Sequence, residues 1–255
     1  MQVHYTAVAA AARLAAVLIV LCMPGLLQAI TFDEPLIINS GRKHPFVQPD
    51  GAGFYDLLVK ALFKRIGIKA ECVYLPSERA LINANSGIDA GNIARIEGLE
   101  KKYPNLVRVP EKVVDFEFMV YTNKVTFPVN GWESLAPYNV GFVTGWKIFE
   151  KNITRARSIT KVRNPSQLFE LLANERAEVV MFDRWGGLSW MKEHGVKVHH
   201  LEPPIAKREM FLYMHKKYRS LVPRLAQELA AMKSDGEYQR IYDKSLKPLL
   251  EFNGE

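Results

Sequence analysis

Cysteine is almost absent from this 255-residue chain. Cys22 and Cys72 are the only two, which excludes a disulfide-stapled scaffold and a four-cysteine zinc site. A large surplus of one charge is missing too: 34 Lys and Arg stand against 27 Asp and Glu, and +7 is too little to imply nucleic acid by itself. Low-complexity tracts, heptads and solenoid repeats are absent. So are a Gly-rich phosphate loop, a serine nucleophile elbow and a His-Glu-x-x-His helix. What is present is ordinary for a folded protein: 48% hydrophobic, 24% charged and 11% aromatic, with 16 Gly and 14 Pro. That composition rules out a disordered or collagen-like chain, and the length suffices for one large domain or two small ones.

The first thirty residues pose a separate problem. Leu14 to Cys22 is uninterrupted apolar, with Arg13 before it and Pro24-Gly25 after it, and Leu27-Gln28-Ala29 forms a small-residue exit. The apolar stretch is shorter than the roughly 20 residues of a bilayer span. Residues 1–29 therefore read as a secretory signal peptide, with an uncleaved anchor as the alternative. Cys22 follows Val20-Leu21 rather than small residues, which argues against lipidation. Loss of this segment removes Arg13 and Cys22 and no acid, leaving a charge of +6 and the single Cys72. An exported chain with one cysteine has no internal disulfide and depends on burial for stability. Cys72 lies in the alternating run 68–74 and reads as a small buried hydrophobe.

Strands and helices alternate along the rest. Pro35 to Asn39 is a short apolar run, and Gly41 to Gly53 is loop-like. Leu57, Leu58, Ala61, Leu62 and Ile66 carry the spacing of a helix face over Asp56–Ile66, ended by Gly67. A strand at 68–74 precedes a helix from Ser77 to Gly87. The rhythm resumes with a strand at Asn139–Val143, a turn at Thr144-Gly145-Trp146 and a helical stretch. Asn164-Pro165-Ser166-Gln167 has the residues of a helix start: a cap, a first-turn proline and a glutamine that reaches back. Val179–Phe182 is a buried strand ending at Asp183, and Leu221 to Met232 marks an amphipathic helix stopped by Gly236. Short connections between such elements define an α/β protein.

The order of these pieces resembles the periplasmic solute-binding proteins of the polar amino-acid type, solute-binding family 3. The matching segments are Lys43-His44-Pro45-Phe46 before a Gly-rich turn, Arg79-Ala80-Leu81 followed by Ser86-Gly87-Ile88-Asp89, Ser134-Leu135 leading into 140–145, Leu168 to Asp183, and Lys233 to Tyr238 with Ile241-Tyr242. No single one is specific, but five in order across about 200 residues are. The resemblance implies a type II periplasmic-binding-protein fold of two α/β lobes, joined by two hinge crossings around a ligand cleft. Lobe 1 would span 30–121 plus 206–255, and lobe 2 would span 122–205.

The same resemblance nominates site residues. An Arg beyond the Gly-x-Asp segment pairs with a ligand carboxylate in that family, and Arg95 is the counterpart here. It lies closer to Asp89 than usual, and Ile93-Ala94 replace the family's Thr and Glu, so a surface Arg is the competing reading. Arg is suited to the work because its planar fork gives two parallel charge-assisted bonds. Asp183, beyond the end of a buried strand, corresponds to the carboxylate that receives an ammonium group; left unpartnered it would be costly, so either a ligand or Arg184 must compensate, and a helix cap is the alternative role. Thr144 and Gly145 correspond to a turn that offers a hydroxyl and a backbone N–H. Trp146 would stack on the ligand or fill the cleft. Tyr74 and Phe46 are aromatic candidates on lobe 1, with core packing as the alternative. Arg79 points into the cleft or pairs with Glu78 or Glu100. His199-His200 lacks further ligands at metal spacing and reads as a solvated strand end.

These features imply a periplasmic binding protein, not an enzyme, that captures an amino-acid-like or carboxylate-bearing solute for the membrane permease of an ABC importer. They imply a monomer with no cofactor, no metal and no nucleic-acid partner. An enzyme of dehydratase or lyase type on the same fold, and a ligand-sensing subunit for a membrane receptor, are the alternatives. Export should yield a chain beginning near Ile30. Intact-mass analysis checks this, and a full-length or lipidated species would contradict it.

Overall fold

Apolar runs too short for helices become the strands of one sheet, seen here in a computed structural model that describes residues 34–253 other than Lys197. The leader read at 1–29, with Cys22, lies outside the described residues. The strands are β1 (Leu36–Ser40), β2 (Ala70–Tyr74), β3 (Gly91–Arg95), β4 (Leu106–Thr122), β5 (Asn139–Val143), β6 (Ser158–Val162), β7 (Val179–Asp183) and β8 (His199–His215). The helices are α1 (Phe54–Arg65), α2 (Ser77–Ser86), α3 (Lys147–Asn152), α4 (Pro165–Ala173), α5 (Arg184–His194), α6 (Val222–Ser234), α7 (Glu237–Ser245) and α8 (Lys247–Asn253). Strand order is β2-β1-β3-β8-β4-β7-β5-β6.

The α/β class and two-lobed architecture expected from the sequence are the ones observed. β1 pairs in parallel with β2 and β3, and β5 in parallel with β6 and β7; the antiparallel pair β4–β8 joins the two sets. β4 and β8 are 17 residues each and run through both lobes. The crossings read at 121/122 and 205/206 fall within them. Long strands of this kind were not read from the sequence, because Pro110, Pro203 and Pro204 interrupt the alternation. Register shifts absorb the interruptions, with Phe118 opposite Ala206 but Val120 already opposite Leu201.

Local signals account for most element ends. Gly87 caps α2 in the left-handed region at φ 77°, where a side chain would be strained. Asn164 accepts from the Gln167 N–H at 2.9 Å, and the Gln167 side chain reaches back to the Arg163 N–H at 3.0 Å, one residue before the cap. The helix α1 buries Phe54, Tyr55, Leu58, Val59, Leu62 and Phe63 against the lobe 1 half of the sheet. Each such side chain contributes about 1.5–3 kcal/mol by leaving water. The interior strand β7, parallel to β5 and antiparallel to β4, is buried at all five positions, as a strand covered on both faces must be. The edge strand β6 is instead largely polar, which discourages pairing with another chain. Cys72 is half-buried against the core, and burial pushes its thiol pKa up, so it is a packing residue.

One close approach fixes the start of α5. The Tyr121 hydroxyl, wholly buried, donates to the carbonyls of Asp183 and Arg184 at 3.1 Å each. A β-carbon on Gly187 would lie 2.1 Å from that hydroxyl. Alanine is the better helix former by about 1 kcal/mol, but overpacking against a fixed core ring costs more. Gly187→Ala should therefore destabilise the protein by about 1–3 kcal/mol, measured as a lower denaturant midpoint at unchanged slope.

Candidate functional site

Lobe 1 holds Arg95 by a relay of buried amides. Asp89 accepts from Asn39 Nδ2 at 2.6 Å; Asn39 Oδ1 accepts from Asn92 Nδ2; Asn92 Oδ1 accepts from Arg95 Nε. A second guanidinium bond runs from Arg95 Nη2 to the Ser77 carbonyl at 3.1 Å. The strand β3 shifts register against β8 between Asn92 and Arg95, and Ala94 sits at φ 63°, a conformation costly for a residue with a β-carbon. This bulge turns Arg95 out of the alternation of its strand. Gly41 is required beside it, since a β-carbon there would meet Ser77 Oγ at 2.3 Å and Arg95 Nη2 at 3.1 Å. Burial, and after it the charge of Arg42, lower the Arg95 pKa to about 10, so it stays cationic at neutral pH. Its described bonds go to neutral oxygens and to no carboxylate.

Lobe 2 contributes Asp183 at the C-terminal end of β7, 1% exposed. It does act as a helix cap, with Oδ1 accepting from the Gly186 N–H at 2.8 Å, worth about 1 kcal/mol. Its other oxygen, Oδ2, is buried without a hydrogen-bond donor. The expected compensating charge, Arg184, is elsewhere: its guanidinium bonds Glu117 Oε2 and Glu202 Oε1 at 2.6 Å each and His200 Nε2 at 3.0 Å. A side chain next to Asp183 in sequence leaves the helix in a different direction, and the hinge strands capture it. Compensation comes instead from Arg42, in the loop after β1, whose Nη1 lies 3.5 Å from Asp183 Oδ2. The same guanidinium sits 4.3 Å over the Phe116 ring and 4.8 Å over the Trp146 ring. Cation–π contacts of that kind contribute about 0.5–2 kcal/mol. Lobe 1 thus reaches across the cleft with a cation. His44 Nδ1, which contacts Ser189 Oγ of α5, makes a second crossing.

The remaining sequence candidates divide. Trp146 lies in the cleft, stacked on Phe149 at 5.3 Å with its rings nearly parallel and close to Phe182. Thr144 and Gly145 are exposed, and the Gly145 N–H already donates to Glu150 Oε1 at 3.0 Å, so the turn does not present that group to a ligand. Phe46 is buried in the core, stacked on Tyr55 and packed on Phe116, and does not face the cleft. Tyr74 is 39% exposed, with Lys43 Nζ 4.8 Å over its ring. Arg79 is exposed, and its expected partners are engaged elsewhere, Glu78 with Lys102 and Tyr103, Glu100 with Tyr213. His200 is not a solvated strand end: its side chain is 2% exposed and packs on Tyr121. No group of three potential metal-binding His, Cys, Asp or Glu side chains occurs among the described residues.

Arg42, Phe116 and Tyr55 were missed. Arg42 carried one usable signal, a cation in the first loop beyond the carboxyl ends of parallel strands. Tyr55 carried none, because its position on α1 looks like core. Its hydroxyl is wholly buried without a partner, close enough to Arg42 and Asp183 for both charges to act on it, and burial pushes its pKa up.

Burial raises the Asp183 pKa, while Arg42 and the Gly186 N–H pull it down. A carboxyl with a raised folded pKa costs stability at neutral pH, and the cost disappears as pH falls through that pKa. Arg42→Ala should therefore destabilise by about 1–3 kcal/mol at pH 7. Part of the loss should vanish below roughly pH 3.9, where Asp183 is protonated in the unfolded chain as well. Denaturant midpoints at pH 7 and pH 3.5 check this; equal losses would assign Arg42 to its ring contacts alone.

No family model matches the chain. An uncharacterized protein of Shewanella oneidensis is 24% identical over 214 residues, 78% of each chain. Among solved structures, an ancestral cationic amino-acid solute-binding protein superposes with a TM-score of 0.66 at 19% identity, over 83% of this chain and 95% of its own. An ancestral arginine-binding protein bound to glutamine gives 0.65 at 20% identity, over 84% and 98%. The chain therefore has the two-lobed fold of the amino-acid-type solute-binding proteins.

Proposed function

We propose that this protein is a periplasmic solute-binding protein that closes on a small carboxylate-bearing solute and presents it to the permease of an ABC importer. The observation that carries this is Arg95: a cation held rigidly by neutral oxygens, given no carboxylate by the described residues, beside the Gly41-Arg42 loop that meets Asp183 and Trp146 of lobe 2. A guanidinium fixed in one orientation loses little entropy on capturing a carboxylate and forms two parallel bonds with it. The polar groups gathered there serve recognition, and the role is binding rather than catalysis. Two strands passing between the lobes allow hinge closure, which buries a ligand on both sides. Solved relatives of this fold whose names specify amino acids add support for the solute class.

The test is calorimetry of the purified protein against carboxylates and amino acids. Arg95→Ala should weaken the bound solute by about 2–4 kcal/mol, chiefly through the off-rate. Wild-type affinity in that variant would remove Arg95 from the site. Closure should also change Trp146 emission, and Trp146→Phe should abolish most of the change. An unchanged wild-type spectrum on confirmed binding would mean that this indole does not sense the ligand.

A further inference from the structure

We propose that Arg42 is a built-in counter-ion occupying the place of a ligand ammonium group, so that the solute of this cleft is a carboxylic acid without an α-amino group. The proposal rests on the solute-binding function given above and narrows it.

Charge in the cleft is the first consideration. Asp183 is the one carboxylate that meets Arg42 there, and Arg42 already lies 3.5 Å from its unbonded oxygen. An ammonium group arriving at Asp183 would have to displace a guanidinium held between the rings of Phe116 and Trp146, or else lie beside it as a like charge. Either alternative is unfavourable, because the flat, weakly hydrated guanidinium is better matched to two aromatic faces than a compact, strongly hydrated ammonium is. With Asp183 neutralised, Arg95 remains as an uncompensated cation in the same cleft. Its guanidinium packs against Gly41, the residue before Arg42, and the two charges act on each other.

The second consideration is the balance of donors and acceptors. The Tyr55 hydroxyl is wholly buried, has no partner, and feels both Arg42 and Asp183. A buried hydroxyl without a partner is rare and marks a missing ligand group or water. Arg42 and Arg95 carry donors only, and a pair of guanidinium groups is complemented by carboxylate oxygens. An α-amino group would bring further donors and a second positive charge to a carboxylate that already has Arg42 3.5 Å from its unbonded oxygen.

The experiment is calorimetry with matched pairs, each a plain acid and its α-amino counterpart: succinate and aspartate, glutarate and glutamate, 4-methylpentanoate and leucine, 3-phenylpropanoate and phenylalanine. In the wild type the plain acid of the best-binding pair should bind at least about ten-fold more tightly than its amino partner, one decade being 1.4 kcal/mol. Arg42→Ala vacates the ammonium position and should move that ratio at least about ten-fold toward the amino acid. Arg42→Gln serves as a second variant should the first not fold: it removes the charge while keeping most of the bulk and should move the ratio in the same direction. Preference of the wild type for the amino acid, or a ratio unmoved by Arg42→Ala and by Arg42→Gln, would overturn the counter-ion while leaving a solute-binding protein. Folded wild type that binds neither member of any pair would overturn the solute-binding function and this inference with it.

Discussion

Pairing of β4 with β8 is the constraint on which the rest of the molecule depends. Each strand enters one lobe, continues into the other and stays hydrogen-bonded to its partner along most of that path. On one side β3 joins β8 and brings Arg95; on the other β7 joins β4 and brings Asp183. The two charges of the site are thus fixed to opposite flanks of one antiparallel ribbon. At the passage between the lobes the ribbon shifts register, between Phe118 and Val120. Arg184 binds there to Glu117 and Glu202, and Lys207 also pairs with Glu117 at 2.9 Å, so a cluster of ion pairs marks the crossing.

Buried charge is the energetic liability of this design. A buried carboxyl with one oxygen lacking a donor is tolerated because a cap bond at a helix N-terminus and a guanidinium from the facing lobe both fall on it. Removal of either shifts the balance between a folded chain and a protonated Asp183. Phe116, Phe118 and Trp146 form an aromatic floor beside the pair, which limits the water around Asp183, strengthens the attraction and raises the desolvation cost together.

The α/β class, the caps at Gly87 and Asn164, the buried strand β7 and the position of Asp183 at its end were all determined by local sequence. Each follows from residues within about one helix turn or one strand, where propensity, capping and periodicity act directly. Arg95 was legible only through a family pattern, because the bulge that aims it depends on pairing with a strand more than a hundred residues away. Tertiary structure alone decided which cation meets Asp183. Sequence adjacency pointed to Arg184, but the start of α5 sends that side chain to the hinge, and Arg42, 141 positions earlier, arrives from the opposite lobe. Which charges neutralise one another is set by distances of a few ångströms between segments remote in sequence, and no local pattern of residues encodes those distances.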